Sequence, residues 1–389
     1  MKNKLNLSIA GFVLSIVIIQ TSTAFGQGNL TPPGAPGATM ITLSQVEPRT
    51  PISSAPFTIT QPGSYHLTTN IICTVSNAIV IATNGVTLDL GGFTIFSTVP
   101  NAANGGAAIL LTSGLRDITI ANGHIRSGVT NNGSGVYSGS GFSNGIYYSG
   151  SQPANVQVSH VSVSGCQVSG LFIGNNDSIV IESCTVRTTG GVGIYGSTVR
   201  QSIANDCGGN ALVGDQVSDC RGQSVNGYGV YAGAAALNCN GNSANSEGIY
   251  CYIAQNCNGY SNGGGIGIYA ADNALNCTGG SVTGDGIDAE TAQNCYGYTS
   301  GNSSGISAVT VQACYGSTYT GYGVYAYTAQ DCYGYSNATG YGIYAYDVAT
   351  GCYGYSYTGT GIIGFLASVC HGATTAGTAL NVTHNVNSY

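Results

Sequence analysis

The sequence predicts an all-β solenoid, a parallel β-helix of about sixteen short coils, on three observations. A unit of 18 or 19 residues repeats from Gly229 to Thr378, and self-similarity at such a period marks an architecture in which each unit buries its apolar face against its neighbours. Each unit opens with Gly and then alternates apolar with other residues, as in Ile343, Tyr344, Ala345, Tyr346 and in Val324, Tyr325, Ala326, Tyr327. That is the period of a strand whose successive side chains face opposite sides. Nine or ten residues after the opening Gly comes a cysteine (Cys239, Cys257, Cys277, Cys295, Cys314, Cys332, Cys352, Cys370), with another Gly always two places on.

Stacking the units produces columns. Val230, Ile249, Ile268, Ile287, Ile306, Val324, Ile343 and Ile362 form one inward column, Ala232, Cys251, Ala270, Ala289, Ala308, Ala326, Ala345 and Gly364 a second, and the cysteines a third. Runs such as SNATGY and SYTGTG separate the units and hold the residues that tolerate turn dihedrals. Side chains this small fill only a narrow coil. Each buried Ile or Val contributes about 1.5–3 kcal/mol by leaving water, and coils stacked about 4.8 Å apart make a rod on the order of 75 Å long.

The chain opens Met1-Lys2-Asn3-Lys4, continues apolar from Leu5 to Ile19 and reaches Ala24-Phe25-Gly26. A basic start, an apolar run and a small-x-small site predict a secretory leader over 1–26, hence a secreted, extracellular or cell-surface protein with no membrane span in the mature chain. Residues 27–55 are Pro/Gly-rich and read as an extended linker and the start of a cap; 56–169 read as the N-terminal cap and wide, irregular coils, and 170–389 as the regular repeats. Pro62-Gly63 marks a turn between short strands at Phe57–Thr60 and Ser64–Leu67. Cysteines 166, 184, 207 and 220 are expected to begin the cysteine column, and Leu380 and Val382 to continue the inward ones.

The segments LTPPGAPGATM, VEPRTPIS, TITQPGSYHLTTNI, VTLDLGGFTI and ITIANGHIR together resemble the opening of secreted bacterial right-handed parallel β-helix proteins of the pectin-lyase-like superfamily. The resemblance is detailed over roughly residues 30 to 126 and beyond that rests on the generic unit GI…C.G. It implies right-handed winding. It also implies where enzymes of this fold would carry their chemistry: an Arg or Lys base with clustered acids and calcium in lyases, paired acids in hydrolases.

Composition excludes several classes. Charged residues make up 6% of the chain, both lysines lie in the leader, and no arginine follows Arg221, so nucleic acid is not an expected partner. A weakly charged exterior rich in Gly, Ser, Asn and Tyr suits neutral glycans or packing against like surfaces. Fourteen cysteines would ordinarily suggest disulfides. Stacked in register about 4.8 Å apart with parallel side chains, they fit a bridge poorly, so a buried thiol ladder is favoured over neighbour disulfides, and metal binding ranks last. No metal site and no cofactor are expected.

The search for catalytic groups yields little. Asp117, His124 and Arg126 are the candidates on the early coils; Gly123-His124-Ile125 departs from the Gly-His-Gly that the resemblance would ask of a polygalacturonase. Asp285, Asp288 and Glu290 are the densest acidic group, read as a solvated turn before a cation site. The tyrosines are more distinctive. Tyr231, Tyr250, Tyr269, Tyr325 and Tyr344 take the outward place in the first strand; Tyr296, Tyr315, Tyr333 and Tyr353 follow the cysteine, and Tyr260, Tyr298, Tyr335 and Tyr355 come two residues later. They stabilise the sheets, each stacked pair adding about 0.5–1.5 kcal/mol, or they form an aromatic platform for sugar rings. The Asn or Asp before the cysteine is read as a ladder at a turn.

The sequence thus predicts an extracellular, non-catalytic structural or surface-binding rod. Polysaccharide is the expected partner, held at Tyr296, Tyr298, Tyr315, Tyr333, Tyr335, Tyr353 and Tyr355, and end-to-end self-association is a further expectation. A polysaccharide lyase or glycoside hydrolase with its site on the early coils is the alternative.

Overall fold

The computed structural model describes residues 48–389; the leader over 1–26 and most of the Pro/Gly segment lie outside them. Arg49–Tyr389 form one compact unit. Within it the backbone is a parallel β-solenoid with three strand faces per coil, whose rungs hydrogen-bond to the rungs one coil before and after. The first face begins with Phe57–Ile59 paired to Ile79–Ile81 and then Ala107–Leu111, and sixteen strands in succession carry it to Thr378–Val386. The second face starts one rung earlier, where Thr50–Ile52 pairs with Gly63–Leu67, so the solenoid is slightly longer than the about sixteen coils expected from the repeat.

The inward columns fall where the alternation puts them. Ile249, Ile268, Ile287 and Ile306 are in register and fully buried; the second face adds a column of alanines, Ala236, Ala254, Ala274 and Ala292. The core changes along its length. Leu88, Leu90, Ile109 and Phe142 fill the early coils, whereas the late ones set their Ile or Val column against Ala and Cys. Leu380 and Val382 pack against the core from the last coil.

The Cys-x-Gly motif is the corner into the third face. The residue before the cysteine is left-handed on coil after coil, at φ 54° in Asp219, Asn238, Asn256 and Asn276. The cysteine then points in, the next side chain points out, and the glycine sits where the third face meets the first: a Cβ on Gly259 would run into the carbonyl of Gly267. Glycine is therefore needed there, and the narrow interior follows from it.

All fourteen cysteines are free and buried. Register corrects the membership of their column. Cys184 and Cys220 belong to it, with Ser202 between them, since Thr185 pairs with Ile203 and Ile203 with Arg221. Cys166 and Cys207 do not: they pair with Thr189 and Ser224 in the column where the third face ends, which later coils fill with Ser243, Ser261 and Ser281. A small buried position accepts Cys, Ser or Thr alike.

The early coils are longer because of insertions. Ile109 pairs with Ile146, Ile146 with Leu171 and Leu171 with Ile194, whereas Ile194 pairs with Leu212 and Leu212 with Val230 at the regular spacing. One insertion forms an antiparallel hairpin, Thr130–Asn131 with Tyr137–Ser138. Asn131 Nδ2 and the Tyr137 hydroxyl both donate to Asp206 Oδ1, at 2.7 and 2.9 Å, and clip the hairpin to a corner of the rod.

Candidate functional site

The third face presents two outward columns, because its strands are four residues long and alternate. Tyr296, Tyr315, Tyr333 and Tyr353 stand in register in one. Their ring centroids are 4.9–5.1 Å apart, with planes 7° and 14° from parallel along Tyr315, Tyr333 and Tyr353 and 51° at Tyr296. Carbon atoms in contact lie about 3.5–4.0 Å apart, so parallel rings whose centroids are farther apart than this must lean over one another. The surface is shingled: the rings overlap obliquely, and Tyr296, Tyr315 and Tyr333 remain 42%, 37% and 36% exposed. Burial and neighbouring phenols push the Tyr315 and Tyr333 hydroxyls up, so they stay protonated at neutral pH.

Tyr298, Tyr335 and Tyr355 lie in the second column. Tyr335 and Tyr355 stack at 5.3 Å and 9°, but Ser317 stands between Tyr298 and Tyr335. The Tyr335 hydroxyl donates to Asn337 Oδ1 and that of Tyr355 bonds Thr375 Oγ1, tying both to adjacent turns. His371 and Tyr389 extend the first column at 5.0 and 4.8 Å. Both were findable from sequence: His371 follows Cys370, and Tyr389 follows Ser388, which takes the cysteine's place on the last coil.

A shallow groove of about 640 Å³ follows this column over five coils. Thr278, Tyr296, Tyr315, Tyr333 and Tyr353 line one side and the left-handed corner residues Asn276, Asn294, Ala313, Asp331 and Gly351 the other, with the cysteine corner between. The corner amides form a ladder of their own: Asn238 Nδ2 donates to Asp219 Oδ1 (3.0 Å), Asn256 to Asn238 (3.2 Å) and Asn276 to Asn256 (3.3 Å). The sequence reading of these residues as a turn ladder agrees with this, and the structure adds that from Asn276 onward the corner residues wall the groove.

Of the catalytic candidates, His124 and Arg126 stand on this same face. His124 is in register with Ser162 and, through Thr185, Ile203, Arg221, Asn240, Asn258 and Thr278, with Tyr296. Those eight coils span on the order of 40 Å. Arg126 is in register with Phe96, Ser164 and Arg187, and with Ile72, Thr94 and Phe96 it lines an apolar hollow of about 460 Å³. Asp117 is elsewhere. It occupies a left-handed corner at φ 61°, accepts from Asn155 Nδ2 at 2.6 Å, and is separated from His124 by Ile118–Ala121 and a second corner at Asn122. The structure groups His124 with Arg126 and leaves Asp117 apart.

Asp285, Asp288 and Glu290 divide as well. Asp285 accepts from the Ser304 amide at 2.6 Å, Asp288 is half-buried in the first-face column between Tyr269 and Ser307, and Glu290 is exposed. Burial, with the Asp285 charge, pushes the Asp288 carboxyl up to about 6. Among the described residues no group of three or more metal-ligating side chains converges, and no helix is long and apolar enough to cross a membrane.

No family model matches the chain, and no curated protein does. Among solved structures the chain aligns with the Azotobacter vinelandii mannuronan C-5 epimerase AlgE4 A-module at 14% identity, over 84% of this chain and 89% of that one, with a TM-score of 0.28.

Proposed function

We propose that the protein is an extracellular, non-catalytic rod that binds neutral polysaccharide along its third face, with a glycan chain lying parallel to the axis in the groove beside Tyr296, Tyr315, Tyr333 and Tyr353. The observation that carries this is the groove itself. It is open, runs coil after coil, and sets phenol edges and hydroxyls against amide and carbonyl groups of the corner residues. Apolar strips for sugar C–H faces thus alternate with neutral hydrogen-bonding groups, and only Asp331 brings a charge to its walls. The shingled geometry alters the platform expected from sequence: contact comes from ring edges, hydroxyls and the tilted Tyr296.

The alternative keeps one point in its favour, that His124 and Arg126 share the same face. Both readings are tested in one set of tubes, by depletion of soluble protein onto insoluble neutral and acidic polysaccharides with release of oligosaccharides followed alongside. Depletion by neutral polysaccharide without release is expected. The triple variant Tyr315→Asn, Tyr333→Asn, Tyr353→Asn is expected to lose at least about tenfold in retention while keeping its β-sheet circular dichroism, because Asn240 and Asn258 already stand in this column. Undiminished retention by that variant would overturn the binding face, and product release would move the function to the early coils.

A further inference from the structure

Nine cysteines occupy one column on consecutive coils, Cys220, Cys239, Cys257, Cys277, Cys295, Cys314, Cys332, Cys352 and Cys370, as the pairing of the residues that follow them requires. All are free of disulfide bonds and lie 1–4% exposed. Backbone amides aim at several of the sulfurs: Ser202 N at Cys220 Sγ (3.4 Å), Cys277 N at Cys295 Sγ (3.4 Å), Cys295 N at Cys314 Sγ (3.3 Å) and Cys352 N at Cys370 Sγ (3.5 Å). Amide donors to these four sulfurs favour the thiolate, the form that binds metal. Against them stand burial and the carbonyl that each thiol also faces two residues back, such as Leu237 O at 3.2 Å from Cys239 Sγ, both of which hold the proton on sulfur until a cation displaces it.

Strands one coil apart are separated by about 4.7–4.9 Å, and in register their side chains leave the backbone in parallel. Two metal–thiolate bonds of about 2.3 Å laid end to end reach nearly the same length. An ion midway between two such sulfurs meets a linear S–metal–S axis along the rod and a near-perpendicular Cβ–S–metal angle. A disulfide in the same place would have to draw the coils together. We propose that the cysteine column binds soft monovalent d10 cations, Cu⁺ or Ag⁺, each held in two-coordinate fashion between the sulfurs of successive coils.

The step balances without redox chemistry. One thiol of a pair gives its proton to water and bonds the cation as thiolate, the other keeps its proton and donates a sulfur lone pair, and the ion keeps its charge. The product is neutral, as an interior this dry requires, and soft sulfur ligands select such ions over hard ones. The route in is short, since Cys277, Cys295, Cys314 and Cys332 lie along the bottom of the third-face groove. A linear ion cannot share one sulfur with ions on both sides along the same axis, so nine sulfurs make four pairs.

The test compares two variants of the reduced, full-length chain that retain the same number of column thiols. Replacing Cys314, Cys332, Cys352 and Cys370 by Ser leaves five neighbours in a row. Replacing Cys239, Cys277, Cys314 and Cys352 by Ser leaves five with none adjacent. Ser202 and Ser388 already stand in this column, so both variants are expected to fold, as circular dichroism would verify. With Ag⁺ or Cu⁺ supplied, desalted and counted by elemental analysis, the parent is expected to retain about four ions per chain, the first variant about two and the second close to none. Ultraviolet sulfur-to-metal absorption should follow the same order. Equal retention by the two variants, or uptake by the parent only once it has unfolded, would overturn the proposal.

Discussion

Val369 stands at φ 55° in the left-handed corner that Asn238, Asn256, Asn276 and Asn294 occupy on earlier coils. For an ordinary L-residue that conformation costs about 1–2 kcal/mol, and least of all suits a β-branched one; at 64% exposure Val369 buries little in return. Val369→Asn is expected to stabilise the fold by about 1 kcal/mol, read as a higher denaturant midpoint at unchanged slope. Asp288 offers a second test at this scale. A carboxyl whose pKa is raised by folding, here from 3.8 to about 6, binds its proton more tightly in the folded chain. Its contribution is fully present below the ordinary aspartate value and is lost as pH rises toward 6. Asp288→Asn should therefore flatten the fall in melting temperature between pH 4 and 6 and raise it at neutral pH; an unchanged profile would assign that pH dependence to other groups. The corner was legible as a column of Asn and Asp before most of the cysteines, Asn238, Asn256, Asn276, Asn294 and Asp331. Its left-handed backbone at Ala313 and Val369 was not, since neither residue signals a turn by its chemistry.

The third-face strand ends on a small buried hydroxyl that sequence reasoning passed over. Ser243 Oγ donates to the Gly227 carbonyl at 2.7 Å and accepts from Ser246 N at 2.8 Å, and Ser281 does the same with Gly265 and Gly284 at 2.7 and 2.9 Å. Each hydroxyl closes the turn into the next coil by satisfying two backbone groups where water is excluded. Ser243→Ala or Ser281→Ala leaves both unmet and is expected to cost about 1–3 kcal/mol. Ser336 lies in the same column, fully buried, and its Oγ finds no partner among the described residues; Ser336→Ala should be close to neutral. Equal losses at Ser243 and Ser336 would show that volume, not hydrogen bonding, sets the cost. The miss has the same root as the misplacing of Cys166 and Cys207. Composition shows that a position is small and buried, while which column it belongs to depends on register, and in the early coils insertions break the count that makes register readable. The tyrosines differ in kind: their alignment follows from the repeat, but the lean of one ring on the next depends on side-chain torsions that spacing does not fix.

Along the whole rod the third face changes character while its register does not. Its two outward columns carry His124, Arg126, Arg187 and Arg221 on the early coils, asparagine at Asn240 and Asn258 with Tyr260 beside the latter, and tyrosine in quantity from Tyr296 onward. Such a gradient is possible because each coil contacts only its neighbours, so the exterior of one coil can vary without disturbing another. That independence predicts the result of removing one coil. Excision of residues 324–342 joins Gly323 to Ile343 and brings Ile306 beside Ile343, Cys314 beside Cys352 and Tyr315 beside Tyr353, all matched columns. The shortened chain is expected to fold, to lose about 5 Å of length by small-angle scattering, and to keep its remaining thiols closed to an impermeable reagent. Excision of residues 324–333 alone removes the same cysteine but sets a third-face strand where a first-face strand must begin. The coils beyond it should then detach and expose Cys352 and Cys370. If both excisions left the thiols protected, stability would not be passed from coil to coil through these columns.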